Sequence, residues 1–305
     1  MNNQTVFIND KEQVSFFGDA YGFSWTAEDD RCSLNVYLDF PNERLKVLDY
    51  DGDADAVSQR LMALGRKNQV SKILFNVSAN WQEFSARGFI KEGEIPGYFN
   101  GETAHCLSYF LSEERRRSPF VEEEKSILDK VLAEAPNFND SEDKYTSQWD
   151  VVTGSEEYAP ELAEFYDGTF KTYPTPLNDP EYVKQIMDNH VEFLLVLDEG
   201  KIISSASAER NFNYNNAEMT DCATSPDYRG RGLMRFILDR LGEDMQKKGL
   251  QVIYSLARAR STGMNMVFRK LGYDFKGQFI KNCHICGKFE DMNLWVKVLS
   301  QKPLS

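Results

Sequence analysis

Glu218, Asp221 and the turn from Arg229 to Gly232 are the residues of this chain whose types and spacing best suit chemistry. The segment Glu218 to Met234, EMTDCATSPDYRGRGLM, reads as a strand running into a glycine-rich turn and then a helix. Thr220, Cys222 and Thr224 alternate with Met219, Asp221 and Ala223, and Pro226 stops the strand. Gly230 and Gly232 let the backbone approach a ligand closely, while Arg229 and Arg231 add positive charge. The helix predicted over Leu233 to Lys248 leaves its first N–H groups without intrahelical partners, and its dipole favours an anion there. A pyrophosphate is the natural ligand of such a turn. Glu218 opens this segment as an ionisable carboxylate. Strand alternation puts Asp221 on the opposite face, where it could hold a substrate ammonium, so that only one of the two carboxylates faces the reacting centre.

The elements that must position these groups belong to a long chain. At 305 residues it suits two domains of roughly 150 residues each, and 41% hydrophobic with 13% aromatic content permits a core in both. The formal charge of −13 argues against a nucleic-acid partner, because a phosphate backbone is bound by an excess of lysine and arginine. No apolar run approaches the roughly 20 residues a membrane helix needs. The start, MNNQTVFINDKEQ, lacks a basic flank and an apolar signal core, so a cytoplasmic protein without a membrane partner is expected. Five scattered cysteines do not form a disulfide framework. Cys283 and Cys286 form CxxC without a second pair at ligand spacing, so no metal is expected. A homodimer is compatible with the sequence, which does not fix the oligomeric state.

Composition shifts between Ser112 and Ser147, where a charged helix-forming piece precedes Pro136 and a polar acidic run. This predicts an N-terminal domain over residues 1–112, a connecting helix and linker over 113–147, and a catalytic domain over 148–300, with the boundary near 136–148. The second domain reads in order as strand, two helices, hairpin, strand, glycine turn, helix, strand, helix, strand, strand. A weaker repeat occupies the first domain: Gly88-Phe89 matches Gly272-Tyr273, and Phe84 precedes its glycine as Phe268 precedes Gly272. In place of RGRG the first domain carries DYDGDAD, which repels phosphate. Ala54 stands where a calcium loop needs glycine, so the run is best read as a solvated turn that caps a helix.

The element order, RGRG, and KLGY at Lys270 to Tyr273 together resemble the GCN5-related N-acetyltransferase (GNAT) family over about Trp149 to Leu299. The resemblance implies an α/β (α+β) fold: a mixed, mostly antiparallel sheet, splayed between its fourth and fifth strands, with helices on both faces. Residues 1–112 would be a smaller, degenerate α/β half of the same kind. It also implies acetyl-CoA, with its pantetheine arm along Cys222, Ala223 and Thr224 and its pyrophosphate on Arg229, Gly230, Arg231, Gly232, Leu233 and Met234. The family turn RxxGxG or RxxGxA is matched here by Arg229, Gly232 and Met234. Ser261 stands where an asparagine often opens the next helix, and is expected near the cofactor. Phe268 replaces a frequent tyrosine acid, so thiolate protonation comes from water, Ser261, Tyr254 or Tyr273, or goes unassisted. The segment AEMTDCAT resembles the strand of histone acetyltransferases in this superfamily where a glutamate activates water or the amine, which implies Glu218 as the general base.

The run from AEMTDCATSPDYRGRGLM through SLARARSTGMNMVFRKLGYDFKGQFIKNCHICGKFEDMNLWVK further resembles the β-lysine N-acetyltransferases. This implies transfer of acetyl from acetyl-CoA to the side-chain amine of β-lysine, giving Nε-acetyl-β-lysine, a compatible solute. A substrate with two ammonium groups and one carboxylate wants carboxylates and an arginine. Glu218, Asp221, Glu290 and Asp291, with Arg258 and Arg260, are the candidates. Alternatives are that Glu290 and Asp291 form a solvated turn paired with the arginines, that another small amine, amino acid or peptide is acetylated, or that the chain is a catalytically silent acetyl-CoA sensor.

Overall fold

A computed structural model describes residues 3–9, 11–17, 21–136 and 143–299. The predicted boundary near 136–148 and the end of the catalytic domain at 300 fall partly outside these residues. In the first half, β1 (Asn3–Phe7) and β2 (Gln13–Phe17) form a separate ribbon. β3 (Gly22–Glu28), β4 (Cys32–Asp39) and β5 (Arg44–Gly52) lead into α1 (Ala54–Lys67). β6 (Lys72–Val77), α2 (Trp81–Ser85), β7 (Ile90–Phe99) and β8 (Glu102–Phe110) follow. The connection carries α3 (Glu113–Arg116), α4 (Val121–Ala133) and α5 (Asp143–Thr146).

The second half contains β9 (Asp150–Thr153), α6 (Ala159–Thr169), α7 (Pro180–Asn189), β10 (Val191–Asp198), β11 (Lys201–Asn211) and β12 (Asn216–Thr224). It ends with α8 (Leu233–Lys247), β13 (Val252–Arg258), α9 (Thr262–Lys270), β14 (Asp274–Ile285) and β15 (Lys288–Val298).

One 13-stranded sheet runs through both halves in the order β3-β4-β5-β6-β8-β7-β14-β15-β13-β12-β11-β10-β9. All pairings are antiparallel except β5 with β6 and β12 with β13. Each parallel pair keeps register for only three positions, Arg44–Lys46 against Lys72–Leu74 and Asn216–Glu218 against Val252–Tyr254, and then parts. The sheet of the second half is therefore splayed between its fourth and fifth strands, β12 and β13. The first half repeats this topology, with α1 and α2 in the places of α8 and α9.

Alternation along β10 sorts the core of the second half. Leu194 and Val196 pack under α8, while Phe193, Leu195 and Leu197 pack under α6 and α7, so helices cover both faces. The two halves join where β7 meets β14 at Gly93 and Gly277, each five residues after the glycine of the repeated Gly-aromatic pair. A Cβ on Gly277 would stand 2.2 Å from the Glu92 carbonyl oxygen, and φ is +150° there, so glycine alone lets the strands cross this closely.

Beyond the crossing, β14 slips register between Phe279 and Cys283, and its freed backbone groups are met by side chains of the first half. Lys72 donates to the Ile280 carbonyl at 2.9 Å and pairs with Glu92 at 2.6 Å. Glu92 in turn accepts from the Ile280 N–H at 2.7 Å. Arg44, held by Asp39 at 2.8 Å, donates to the Asn282 carbonyl at 3.0 Å. These charges are buried, so each needs its partner.

Candidate active site

The geometry of β12 decides which groups meet in the split. Ser205 opposes Ala223 but Ser207 opposes Thr220, so β12 carries an extra residue there, and Asp221 takes φ +54°. Such a bulge shifts the face to which later side chains point. Glu209 opposes Glu218 directly, and Ser207, two residues away on the same face of β11, donates to Asp221 Oδ2 at 2.6 Å. Glu218 and Asp221 therefore share one face. The opposite placement expected from simple alternation is corrected by the bulge, which period-two reasoning does not see.

Glu218 lines a cleft of about 530 Å³ with Tyr98, Glu209 and Tyr254. Burial pushes its carboxyl up to about 7. Glu209 across the strand pair adds to the rise, and Lys46 of the first half opposes it. Such a group accepts a proton near neutral pH far more readily than an ordinary glutamate. Asp221 is buried and raised to about 6 by desolvation, while hydrogen bonds from Ser207 and Tyr173 oppose the shift. The Tyr173 hydroxyl reaches Asp221 Oδ1 at 3.0 Å, and the Tyr166 hydroxyl bonds its carbonyl at 2.7 Å. Both tyrosines also line a second cleft of about 510 Å³, which takes Tyr21, Phe40 and Pro41 from the first half. Lys46, Tyr98 and Glu209 were not singled out from the sequence, because no local pattern ties them to Glu218.

From Met219 onward, β12 has no partner on its β13 side, so Cys222, Ala223 and Thr224 border an open strand edge. The turn beyond has φ +77° at Gly230 and +89° at Gly232. Among the described residues, the N–H groups of Gly230, Arg231, Gly232, Leu233 and Met234 have no hydrogen-bond partner. Arg229 Nε donates to the Thr224 carbonyl at 3.1 Å, tying turn to strand. Arg231 donates to the Asp227 carbonyl at 3.1 Å and lies over the Tyr228 ring. Met234 points inward with Leu233, both buried beneath α8, so it adds no bulk at the open N–H groups. Tyr145 of the connection stacks on Phe236 at 4.6 Å and brings its hydroxyl against Gly232.

The remaining candidates separate. Ser261 occupies the N-cap position of α9, but its side chain makes no capping bond. The turn is held instead by buried Asn265, a residue not singled out from the sequence. Its Nδ2 donates to the carbonyls of Arg258 at 2.9 Å and Ser261 at 2.8 Å, and its Oδ1 accepts from Asn293 and Trp295. Phe268 is buried in the α8–α9 core against Tyr273, whose own buried hydroxyl has no partner among the described residues.

Glu290 and Asp291 are 5% and 3% exposed, which excludes the solvated turn. They are adjacent in β15 and so face opposite ways. Glu290 pairs with Lys288 at 3.3 Å. Asp291 accepts from the Lys281 N–H at 2.6 Å and stands beside Glu124 of α4, whose carboxyl is raised by burial and by Asp291. The two cannot grip one ammonium together. Arg260 is withdrawn to Glu123 at 3.2 Å and the Phe120 ring, while Arg258 makes no ion pair among the described residues. Cys283 is buried and Cys286 exposed, neither in a disulfide. Among the described residues no cluster of three His, Cys, Asp or Glu could hold a metal ion, and no helix is long and apolar enough to cross a membrane.

A sheet split beside an open helix N-terminus, with a carboxylate of raised pKa at the fork, can hold a phosphate-bearing ligand at the turn and accept a proton at the fork. The model of the acetyltransferase (GNAT) family matches residues 159–273. The chain is 32% identical over 258 residues to the β-lysine N(6)-acetyltransferase of Methanococcus maripaludis, spanning 84% of this chain and 93% of that protein. It is 35% identical over 260 residues to the N-acetyltransferase YodP of Bacillus subtilis, spanning 85% and 93%. It is 30% identical over 271 residues to the β-lysine N(6)-acetyltransferase of Methanosarcina mazei, spanning 83% and 100%. The chain belongs to the GNAT acetyltransferase family and is an acetyl-transferring enzyme.

Proposed function

We propose that the chain acetylates the side-chain amine of a small diamino acid, with β-lysine the first candidate, by direct transfer without a covalent enzyme intermediate. The observation that carries this is Glu218, a carboxylate with a pKa raised to about 7, at the point where β12 and β13 part. An alkyl ammonium with a pKa near 10.4 is neutral in roughly one molecule in two thousand at pH 7, so a positioned base is needed. Glu218 takes the amine proton as the nitrogen forms its bond to the acetyl carbon and the carbon–sulfur bond breaks. The leaving thiolate then takes a proton.

The cofactor residues fit acetyl-CoA. The partnerless N–H groups of Gly230 to Met234, with Arg229 and Arg231 beside them, suit a pyrophosphate. The open edge at Cys222, Ala223 and Thr224 suits an extended amide-bearing arm. Asp221, sharing the face of Glu218, is suited to hold the substrate's second ammonium. The relatives named for β-lysine acetylation support that choice of amine.

The test is to incubate the protein with acetyl-CoA and β-lysine, lysine, ornithine or spermidine while following free thiol. Fastest release with β-lysine is expected. Acetyl-CoA binding without thiol release from any amine would overturn the catalytic assignment of this site, and faster release with spermidine would overturn the amino-acid assignment.

A further inference from the structure

We infer that Lys46, on the first-half strand that corresponds to β12, is the seat for the substrate's carboxylate, which makes the first half a wall that selects amines carrying an acid. The inference rests on the diamino-acid function proposed above and assigns the acid-binding group within it.

Position comes from the repeat. β5 and β6 part after Lys46 and Leu74, as β12 and β13 part after Glu218 and Tyr254, so Lys46 holds the place in its half that Glu218 holds in the other. Its face follows from strand alternation. Leu45 and Val47 pack into the core under α1, so Arg44 and Lys46 point away from that helix. That side faces the second half, since Arg44 reaches across to the Asn282 carbonyl and to Cys283 of β14.

The charges do not cancel within the wall. Asp39 is shared by Arg44 at 2.8 Å and Lys46 at 3.7 Å, one carboxylate between two cations. Arg44 is 5% exposed and spent on its partners, whereas the Lys46 side chain is 37% exposed, with the longer contact to Asp39 and its ammonium 5.8 Å from the centre of the Tyr37 ring. Within electrostatic reach of Lys46 stand Glu218 and Glu209, the latter 3.4 Å from His190, and Asp221 shares their face of the strand pair. A molecule with one carboxylate and two ammonium groups is the complement of this pair of walls.

The charges felt most by Glu218 include Lys46 and Arg44, and Glu209 is likewise drawn down by Lys46. Arg258, the last residue of β13, makes no ion pair among the described residues and is the competing cation. Burial and Arg44 lower the Lys46 pKa while Asp39 raises it, so an arriving carboxylate would reinforce the ammonium.

The experiment compares β-lysine with its carboxamide, which keeps the size and both amines but removes the acid charge. The wild-type enzyme should show a KM for the acid lower by about tenfold or more, as a charge-assisted contact implies. Lys46→Met should erase that preference while leaving the KM for acetyl-CoA near wild type, which also shows that the variant folds, and should move the bend of the rate with pH upward, because Lys46 no longer opposes the Glu218 rise. Lys46→Arg should keep the preference. Equal KM values for acid and amide in the wild type, or loss of the preference in Arg258→Met but not in Lys46→Met, would overturn the inference and leave β-lysine acetylation standing. Failure of the wild type to acetylate β-lysine would overturn both.

Discussion

Replacing Glu218 by glutamine tests the site through two readouts that move in opposite directions. A positioned base contributes about 10²- to 10⁴-fold, so kcat at pH 7.5 should fall at least about a hundredfold while the KM for acetyl-CoA stays within about twofold. The wild-type rate should also bend near pH 7, where Glu218 gains its charge, and that bend should vanish in the variant.

Stability should change the other way. The Glu218 pKa is raised from 4.5 to about 7 in the folded protein, so folding favours its protonated form. Its penalty is absent below pH 4.5, grows between 4.5 and 7, and is complete above 7. At about 1.4 kcal/mol per unit the ceiling is about 3 kcal/mol, and partial solvent access reduces it to about 1–2 kcal/mol. Glu218→Gln should therefore melt higher than the wild type at pH 8 and alike at pH 4.5, measured by thermal unfolding across pH with thiol release as the activity assay. A variant that keeps more than about a fifth of wild-type kcat, or a melting difference that does not grow with pH, would refute the assignment.

Gly232→Ala should weaken acetyl-CoA binding and cost about 1–3 kcal/mol, because φ is +89° there and the new Cβ would lie 2.6 Å from the Tyr145 hydroxyl; calorimetric titration and unfolding check both. Lys72→Met should cost about 3–5 kcal/mol by leaving Glu92 buried without its cation, and adding Glu92→Met should recover much of it, as denaturant melts would read. Tyr273→Phe removes a buried hydroxyl with no partner among the described residues, so it should stabilise by about 1 kcal/mol. A thiol with a pKa near 8.5 leaves tolerably unaided, so kcat for that variant should fall less than about tenfold in single-turnover assays.

What the sequence displayed was what local spacing encodes. The strand, glycine turn and helix from Glu218 onward, the caps, and the Gly-aromatic repeat all depend on residues within a few positions of one another. Asp179 accepting from the Glu181 N–H ahead of α7 is one such case. The bulge at Asp221 was hidden because an extra residue in one strand is defined by its partner, Ser205 to Ser207, not by the strand itself. The cationic wall was hidden for a stronger reason. Lys46 and Glu218 are far apart in sequence and come within electrostatic reach through a junction of the halves at which β7 and β14 cross at two glycines, a contact with no periodic signature. The alternative of a solvated turn for the substrate-binding candidates Glu290 and Asp291 rested on the usual exposure of charged residues, and here both are buried, beside Lys288, the Lys281 backbone and Glu124.

The two halves differ most at the helix that follows each split. In the second half the turn before α8 leaves five N–H groups open beside two arginines. In the first half the corresponding turn is DYDGDAD, and Asp53 turns back to accept from the N–H groups of Asp55 and Ala56. The first helix thus satisfies its own N-terminus with a carboxylate, and the same bonds occupy donors a phosphate would need. Restoring a cofactor site there would mean removing the cap as well as the acidic charge around it. With donor binding closed off on that side, the polar face of the first half needs no room for a second cofactor and can stand against Glu218 as part of the substrate cleft.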